Sequence, residues 1–209
     1  MADRSARQTE IIEESLVIIA DSGMEGLTYR NLSERLGISI PAFYRHFPSK
    51  TDILLGIIDY FRELSQEIFL GAEASAGDAL DRLSVFLTGH ARLFSERSGL
   101  VVVLFPEEIG GTRHEVRGRV LQAMTENRER LTGLMANGAA TGLLRPDISP
   151  ERLAFFLMGS LRLSDTLWRL NERESDLVQE VTNMWRDLEQ LIRQPAAGLS
   201  PAQMGNCAS

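Results

Sequence analysis

The residues with the clearest potential for chemistry lie in one short segment, TYRNLSERLGISIPAFYRHFPSKTDIL, residues 28–54. Apolar residues at intervals of three and four predict two short helices here, separated by a glycine-containing turn. The side chains expected to remain exposed on the second helix are Ile40, Pro41, Tyr44, Arg45 and His46. An ordinary solvent-exposed helix face carries glutamate and lysine, whereas this aromatic and basic set is typical of a helix that lies in a DNA groove.

The residues at the helix ends indicate how this face is positioned. Thr28 can cap a first helix that reaches Leu36 and stops at Gly37, and Ser39 can cap a second helix over Ile40–Phe47. The expected inward residues are Leu32, Leu36, Ile38, Phe43 and Phe47, packed on Leu16, Ile19 and Ala20 of a preceding helix. Together these signals predict a helix-turn-helix motif.

Helical periodicity continues along the rest of the chain. The other helices expected are 5–22 ending at Gly23, Ser49 to about Leu70, 78–97, His114 to about Thr141, one from Ser149-Pro150 through Trp168, and 175–193. The breaks expected between them are a hinge at Gly71–Gly77, an apolar segment at Leu100–Phe105 followed by Pro106 and Gly110-Gly111, and a loop at 142–150. The fold class predicted is all-α.

This pattern divides the chain into three parts. We expect a helix-turn-helix DNA-binding domain of three helices at residues 1–50, a larger helical-bundle domain at 51–193, and a disordered tail at 194–209.

The composition excludes several classes of protein. The chain has 209 residues with a formal net charge of -7, and its longest apolar run, Leu100–Phe105, is far shorter than the roughly 20 residues that span a bilayer. Its single cysteine, Cys207, excludes an intramolecular disulfide. Residues 28–50 carry four basic residues and one acidic residue, a local charge of +3 that suits a local DNA contact. A cytoplasmic protein with no membrane partner is expected.

Residues 6–54 resemble the DNA-binding domain of the TetR family of bacterial transcriptional regulators. The matching positions are Thr28, Leu32, Leu36-Gly37-Ile38-Ser39, Phe43-Tyr44-x-His46-Phe47 and Ser49-Lys50. Tyr29 and Phe43 stand where smaller aliphatic residues are common in the family, which implies bulkier packing. Ile40-Pro41 replaces a frequent polar-glycine pair, which leaves the base preference open.

The resemblance implies a set of DNA-binding residues: Thr28, Tyr29, Arg30, Ser39, Ile40, Pro41, Tyr44, Arg45, His46 and Lys50. Those implied to lie near phosphates are Thr28, Tyr29, Tyr44, His46 and Lys50, while Arg30 and Arg45 are the candidates for base edges. Ile40 and Pro41 are implied to make apolar contacts with bases. His46 can instead be a helix-end residue beside the helix dipole. Arg4 and Arg7 are expected to form an arm along the DNA backbone.

For the larger domain the resemblance implies a homodimer with an effector cavity in each subunit. The last two helices carry more apolar residues than one inward stripe needs, so they are the expected dimer surface. Trp168 and Trp185 can belong to that surface or to the core, and core is the default. A bound effector is implied to change the separation of the two recognition helices.

Aromatic and soft side chains on the middle helices are the candidates for the cavity wall. They are Phe86, His90, Phe94, Leu104, Phe105, Met124, Phe155, Met158 and Arg162. Such an interior suits an apolar or aromatic effector, and the alternative is an ordinary core. Arg162 and Asp165, on an otherwise apolar helix, can orient a polar ligand group or pair across the dimer. No cofactor or metal ion is expected.

The sequence therefore predicts a ligand-responsive transcriptional regulator, a repressor in the family's usual mode. It is expected to bind a palindromic operator as a homodimer, on the bacterial nucleoid, and to be released by a small molecule. The alternative within the same fold is an architectural or division-control factor with many genomic sites and no effector. An enzyme is not expected, because the cluster Glu107, Glu108, His114 and Glu115 lacks the repeated Glu-x-x-His spacing of a carboxylate metal site.

Overall fold

A computed structural model describes residues 4–105 and 114–194 of the chain. Within these ranges the regular secondary structure is helical, in the order α1 Ala6–Gly26, α2 Tyr29–Leu36, α3 Ile40–His46, α4 Lys50–Ala74, α5 Ala79–Glu96, α6 Gly99–Leu104, α7 His114–Ala140, α8 Pro150–Leu170 and α9 Leu177–Ile192. The all-α prediction is confirmed. The predicted breaks at Pro106 and Gly110-Gly111 and the tail from 195 onward lie outside the described residues.

The first three helices form the predicted helix-turn-helix unit. The Thr28 hydroxyl accepts a hydrogen bond from the Asn31 amide at 3.1 Å and so caps α2. Gly37 ends α2 at φ 64°, in the left-handed region that glycine adopts without strain. Ser39 occupies the N-cap position of α3 but makes no side-chain cap.

Three helix boundaries differ from the sequence-based expectation. The α1 helix continues to Gly26 across a kink at Gly23, where φ is 66°. The predicted hinge at Gly71–Gly77 is wrong over its first half, because α4 runs on to Ala74 and buries Ala72 completely. The apolar segment at Leu100–Phe105 is mostly the short helix α6. In each case tertiary packing outweighs local breaking signals.

The core joins the two parts of the chain. α1 packs on α2, α4 and α6, while α4 also packs on α5 and α7, and α5 and α8 both contact α9. Trp168 and Trp185 are 5% and 4% exposed, so both belong to the core as expected. Because α4 contacts both the α1–α3 unit and the later helices, the proposed boundary between residues 50 and 51 stays a prediction.

A short backbone clasp closes the far end of the bundle. Leu144 and Arg193 form an isolated antiparallel bridge. The Arg145 amide donates to the Ile192 carbonyl at 2.9 Å, and the Gln194 amide donates to the Leu143 carbonyl at 2.8 Å. The end of α9 is thereby fixed to the loop between α7 and α8.

Across 4–105 and 114–194, no helix combines the length and hydropathy needed to cross a bilayer.

Candidate DNA-binding surface and effector cavity

The α3 helix presents the predicted basic and aromatic face to solvent. Phe43 is completely buried and Phe47 nearly so, and together they hold α3 against the core. On the opposite side Tyr44 is 51% exposed and Ile40 is 40% exposed. The other predicted contact residues that are exposed are Thr28, Arg30, Ser39, Pro41, Arg45 and Lys50, whereas His46 and Tyr29 are half-buried. The predicted contact residues include three cations and no carboxylate, and the exposed carboxylate of Glu34 lies beside Arg30.

Tyr29 positions the recognition helix. Its hydroxyl donates a hydrogen bond to the Phe47 carbonyl at 2.8 Å, and its ring lies 4.7 Å from that of Tyr44 and 6.0 Å from that of Phe43. Burial raises the pKa of Tyr29, with smaller contributions from Tyr44 and Asp52. The large side chain of Tyr29 therefore fills the space between α2 and α3. Its expected contact with a DNA phosphate stays a prediction.

Two of the three cations of this surface, Arg30 and Lys50, are held in different ways. Arg30 pairs with Glu34 at 3.0 Å and is nonetheless highly exposed. The Lys50 ammonium donates to the Met24 carbonyl at the end of α1. Desolvation lowers the pKa of Lys50, and the nearby Glu25 partly offsets that effect. Lys50 is thus fixed at the start of α4, where an ammonium still has donors left for a phosphate.

The predicted N-terminal arm is not seen in this form. Arg4 donates to Glu63 of α4 at 2.8 Å and lies over the ring of Tyr60 at 5.0 Å. Arg7 pairs with Glu10 one turn along α1 at 2.6 Å. Both arginines are therefore bound within the chain, and DNA contact by either would require those pairs to break.

A cavity of about 300 Å³ lies inside the helical bundle, between α4, α5, α7 and α8. Its wall is mainly aromatic and aliphatic. The lining residues are Phe61, Phe86, His90, Phe94, Phe105, Leu121, Met124, Thr125, Asn127, Arg128, Leu131, Phe155, Met158, Gly159, Leu161, Arg162 and Asp165. Leu121 and Phe155 are 68% and 65% exposed and mark its mouth between α7 and α8.

The structure brings together eight of the nine residues predicted for this wall. They are Phe86, His90, Phe94, Phe105, Met124, Phe155, Met158 and Arg162. Leu104 is buried but does not line the cavity, because neighbouring residues on a helix point in directions about 100° apart. Sequence reasoning missed Phe61 and Asn127, which come from α4 and α7 and lie on their inner faces only once the helices have packed.

His90 is held as a neutral ring at the inner end of the cavity. Its Nδ1 lies 2.9 Å from the Phe86 carbonyl oxygen, which can only accept, and its Nε2 lies 2.9 Å from Ser65 Oγ. Ser65 in turn lies 2.6 Å from Asn127 Oδ1. Burial lowers the pKa of His90 to about 4. The imidazole therefore carries no charge at neutral pH.

Asp165 and Arg162 lie one turn apart on α8. Asp165 is 1% exposed, and its pKa is raised to about 6 by burial, which Arg169 and Arg162 counteract only in part. The Arg162 guanidinium lies 4.0 Å above the ring of Phe105 and 3.9 Å from the Asp165 carboxylate. Because Asp165 is already buried within one chain, it faces the interior rather than a second subunit.

The α6 helix connects the cavity with α1. Phe105, at the end of α6, lines the cavity, while Gly99, at its start, lies against the backbone of Leu16. Beside it Arg97 donates to Glu13 of α1 at 3.1 Å. A displacement of Phe105 can therefore be transmitted through the closely packed α6 to α1, the helix that precedes α2 and α3.

An unpartnered apolar face runs along α8 next to the mouth of the cavity. Its members, between 50% and 76% exposed, are Phe156, Leu163, Leu167 and Leu170. Leu191 of α9 is 66% exposed. Large apolar side chains in a row of this kind are typical of a protein interface.

Comparison with known proteins agrees with this geometry. Residues 11–57 match the family described as bacterial regulatory proteins, tetR family, and residues 80–184, about half of the chain, match the tetracyclin repressor-like C-terminal domain. The HTH-type transcriptional repressor KstR2 of Rhodococcus jostii is 29% identical over 79% of this chain and 78% of its own. The nucleoid occlusion factor SlmA of Marinomonas sp. is 22% identical over 74% of this chain and 79% of its own.

A solved structure shares this fold over most of the chain. The transcriptional regulator FadR from Bacillus subtilis, in complex with stearoyl-CoA, superposes with a TM-score of 0.74 at 19% identity, over 87% of this chain and 96% of that chain. With the helix-turn-helix unit, the bundle and both family matches in agreement, this chain belongs to the TetR family of bacterial transcriptional regulators.

Proposed function

We propose that this protein is a repressor that binds a palindromic operator as a homodimer through α3 and leaves it when an apolar molecule enters the cavity. The observation that carries the proposal is one chain with both an exposed basic recognition face and an apolar cavity, with α6 packed between the cavity and α1. The proposed site of action is the bacterial nucleoid in the cytoplasm, and no catalytic role is proposed.

The DNA-binding proposal assigns base contacts and phosphate contacts to different residues of the α3 surface. Arg45 is exposed on the side of α3 away from Phe43, so it can reach base edges in a major groove. Lys50 sits at the first turn of α4, beside that surface, where it can reach a phosphate. Phosphate contacts set the register on the duplex and base contacts select the sequence.

Two substitutions separate these roles. We expect Lys50→Ala to weaken binding to all DNA sequences about equally and to reduce the slope of log affinity against log salt by about one per protomer. Arg45→Ala is expected to relax the preference at particular base pairs, by roughly 1–3 kcal/mol of discrimination. Fluorescence anisotropy with operator and scrambled duplexes at several salt concentrations measures both effects.

Arg92→Ala is the matched control, because Arg92 is an exposed arginine on α5, in the larger domain. It should leave operator affinity unchanged. The operator itself would come from selection of genomic fragments, with the Tyr44→Ala/Lys50→Ala double variant as the background. If Lys50→Ala and Arg45→Ala bind the selected sites as the parent does, the α3 surface is not the DNA contact.

The effector proposal follows from the lining of the cavity. Aromatic rings of Phe61, Phe86 and Phe94 form its inner wall, with Phe61 and Phe94 stacked at 6.1 Å. Such a wall favours an apolar or aromatic molecule. The fold neighbour FadR was crystallised with stearoyl-CoA, whose acyl chain is apolar. Entry of an effector against Phe105 would displace α6 and, through Gly99, the position of α1.

The homodimer is proposed to form through the apolar face of α8 and the adjacent part of α9. Leu167→Arg places a charge in the middle of that face, on a side chain that is 55% exposed in the single chain. We expect the dimer dissociation constant to rise at least tenfold, because burying an unpaired charge in an interface is costly. Sedimentation velocity over a concentration series measures the change.

Leu121→Arg is the control for that substitution, because Leu121 is also highly exposed but lies on α7 at the cavity mouth. It should leave the sedimentation behaviour as in the parent. A Leu167→Arg protein that remains dimeric at low micromolar concentration would place the dimer surface elsewhere.

A second candidate function is a division-control factor with many chromosomal sites, favoured by the similarity to SlmA. The genomic selection distinguishes the two. One or a few palindromic sites support the regulator, whereas many dispersed sites support the division-control factor.

A further inference from the structure

Asn127, on α7, has one end of its side-chain amide bound within the protein. Its Oδ1 lies 2.8 Å from Arg130 Nη1 and 2.6 Å from Ser65 Oγ. A guanidinium group only donates hydrogen bonds, so the amide atom beside Arg130 is the oxygen and the orientation of the amide is fixed. The other end, Nδ2, makes no hydrogen bond with residues 4–105 and 114–194.

This amide nitrogen is open to the cavity. Asn127 is 6% exposed and lines the cavity, whereas its two partners, Ser65 and Arg130, do not. In the described part of the chain, the fully enclosed side-chain nitrogen and oxygen atoms that lack a partner belong to Arg82, Asp165 and Ser175. Nδ2 of Asn127 also lacks a partner but is not enclosed in this way, so it keeps accessible surface. Because Oδ1 is directed towards Ser65 and Arg130, the two N–H bonds are left for the cavity.

Arg130 strengthens this donor. Its guanidinium donates to Asn127 Oδ1 and, through Nη2, to Gln66 Oε1 at 2.6 Å. A charged donor on the amide oxygen polarises the amide group, and linked hydrogen bonds reinforce one another. Asn127 therefore offers the inner end of the cavity a polarised hydrogen-bond donor that is held in one orientation.

The surroundings of Asn127 indicate which acceptor fits. The acceptors at this end already face protein groups, since the Phe86 carbonyl oxygen lies 2.9 Å from His90 Nδ1 and His90 Nε2 lies 2.9 Å from Ser65 Oγ. A ligand hydroxyl would accept from Asn127 but leave its own proton without an acceptor there. An ionised carboxylate costs far more to remove from water than one amide donor returns. A carbonyl oxygen avoids both costs, because it is neutral and donates nothing.

We infer that the cavity binds a neutral, largely apolar molecule whose carbonyl oxygen accepts a hydrogen bond from Asn127 Nδ2. This inference rests on the proposed effector site and adds the polar group that orients the effector. The rings of Phe61, Phe86 and Phe94 contact the body of the ligand. A molecule of the same shape without an acceptor covers Nδ2 and leaves a buried donor unpaired, which lowers its affinity.

The test uses two probes of nearly equal shape, 4-acetylbiphenyl and 4-isopropenylbiphenyl, in which a methylene group replaces the carbonyl oxygen. Equilibrium dialysis with the full-length protein at neutral pH gives both dissociation constants. The alkene is the more apolar probe, so the informative quantity is the ratio of the two constants and its change on substitution. Asn127→Asp keeps an oxygen for Ser65 and Arg130 and removes only the donor. We expect this variant to lower the relative preference for the ketone at least about tenfold.

Asn137→Asp is the matched control, because Asn137 is exposed on the same helix and lies outside the cavity lining. Its ratio should stay within about threefold of the parent's. The inference is overturned when Asn127→Asp leaves the ratio unchanged, when both variants change it equally, or when the parent binds neither probe. Tighter binding of biphenyl-4-carboxylate than of the ketone overturns the assignment of a neutral carbonyl.

Infrared difference spectroscopy of the ketone, isotopically labelled at its carbonyl group, provides a readout in the parent protein itself. A hydrogen bond to the oxygen weakens the C=O bond, so we expect the bound ketone to absorb at a lower frequency than in cyclohexane. In Asn127→Asp the frequency should return towards the cyclohexane value. An unshifted frequency in the parent, or a shift that persists in Asn127→Asp, contradicts the contact. The proposed function fails separately, when the bound ketone leaves operator affinity unchanged or the parent binds no operator at all.

Discussion

Replacing Gly99 with alanine is expected to lower the free energy of unfolding by about 2–3 kcal/mol. A Cβ atom at this position would lie 2.2 Å from the carbonyl oxygen of Leu16 and 2.9 Å from its carbonyl carbon. Both are backbone atoms of α1, so neither can rotate away as a side chain would. The substitution must therefore separate α6 from α1, and urea unfolding followed by circular dichroism measures the loss.

The same displacement should weaken operator binding, since α1 carries the α2–α3 unit. Gly133→Ala is the matched control: it lies in the middle of α7, and its added Cβ would meet nothing within 4 Å. We expect that variant to gain about 0.5–1 kcal/mol from helix propensity and to bind the operator normally. If Gly99→Ala proved as stable as the parent, the close packing of α6 on α1 would not be present in solution.

The second large effect is expected from Asp165→Asn. We expect this variant to be more stable than the parent by about 2 kcal/mol at pH 7, because one pKa unit corresponds to about 1.4 kcal/mol and an amide keeps part of the burial cost. The pKa of Asp165 is about 6 in the folded chain against an ordinary 3.8, so its ionised form is the unfavourable one. Thermal or urea unfolding of both proteins measures the difference.

The pH dependence has a definite sign. Between the two pKa values the folded parent binds more protons at Asp165 than the unfolded chain does, so its stability rises as the pH falls through 6 towards 3.8. The advantage of Asp165→Asn should shrink over that range. His90 acts in the opposite direction, since its folded pKa is about 4, but it is present in both proteins and cancels in the difference. An advantage that does not change with pH would mean that Asp165 is not desolvated.

The sequence predicted the helix-turn-helix unit well because its signals are local. A threonine cap, a glycine with φ 64° and two inward phenylalanines act within a few residues of one another. The sequence also predicts those cavity-lining residues that share one helix face. Examples are Phe86, His90 and Phe94, at intervals of four on α5. Its role in binding an effector, like the role of each DNA-contact residue, stays a prediction.

What the sequence did not predict depends on contacts between distant parts of the chain. The pairing of Arg4 with Glu63 joins residues 59 positions apart that no local pattern connects, and the expected contact of Arg4 with DNA stays a prediction. Phe61 and Leu121 line the cavity because of how α4 and α7 pack together. The sequence shows Asp165 as a polar residue on an apolar helix. Its burial within one chain shows that it faces the interior and not a second subunit.

The backbone hydrogen bonds of Leu143 and Arg145 to the end of α9 limit where a second protein can be fused to this chain. A fluorescent reporter attached after Gln194 keeps both backbone hydrogen bonds, whereas one attached after Gln190 removes their partners at Ile192 and Gln194. Because α9 bears part of the proposed dimer face, the shorter fusion would also loosen the pairing of subunits. Gln194 is therefore the earliest junction for turning this protein into a small-molecule biosensor.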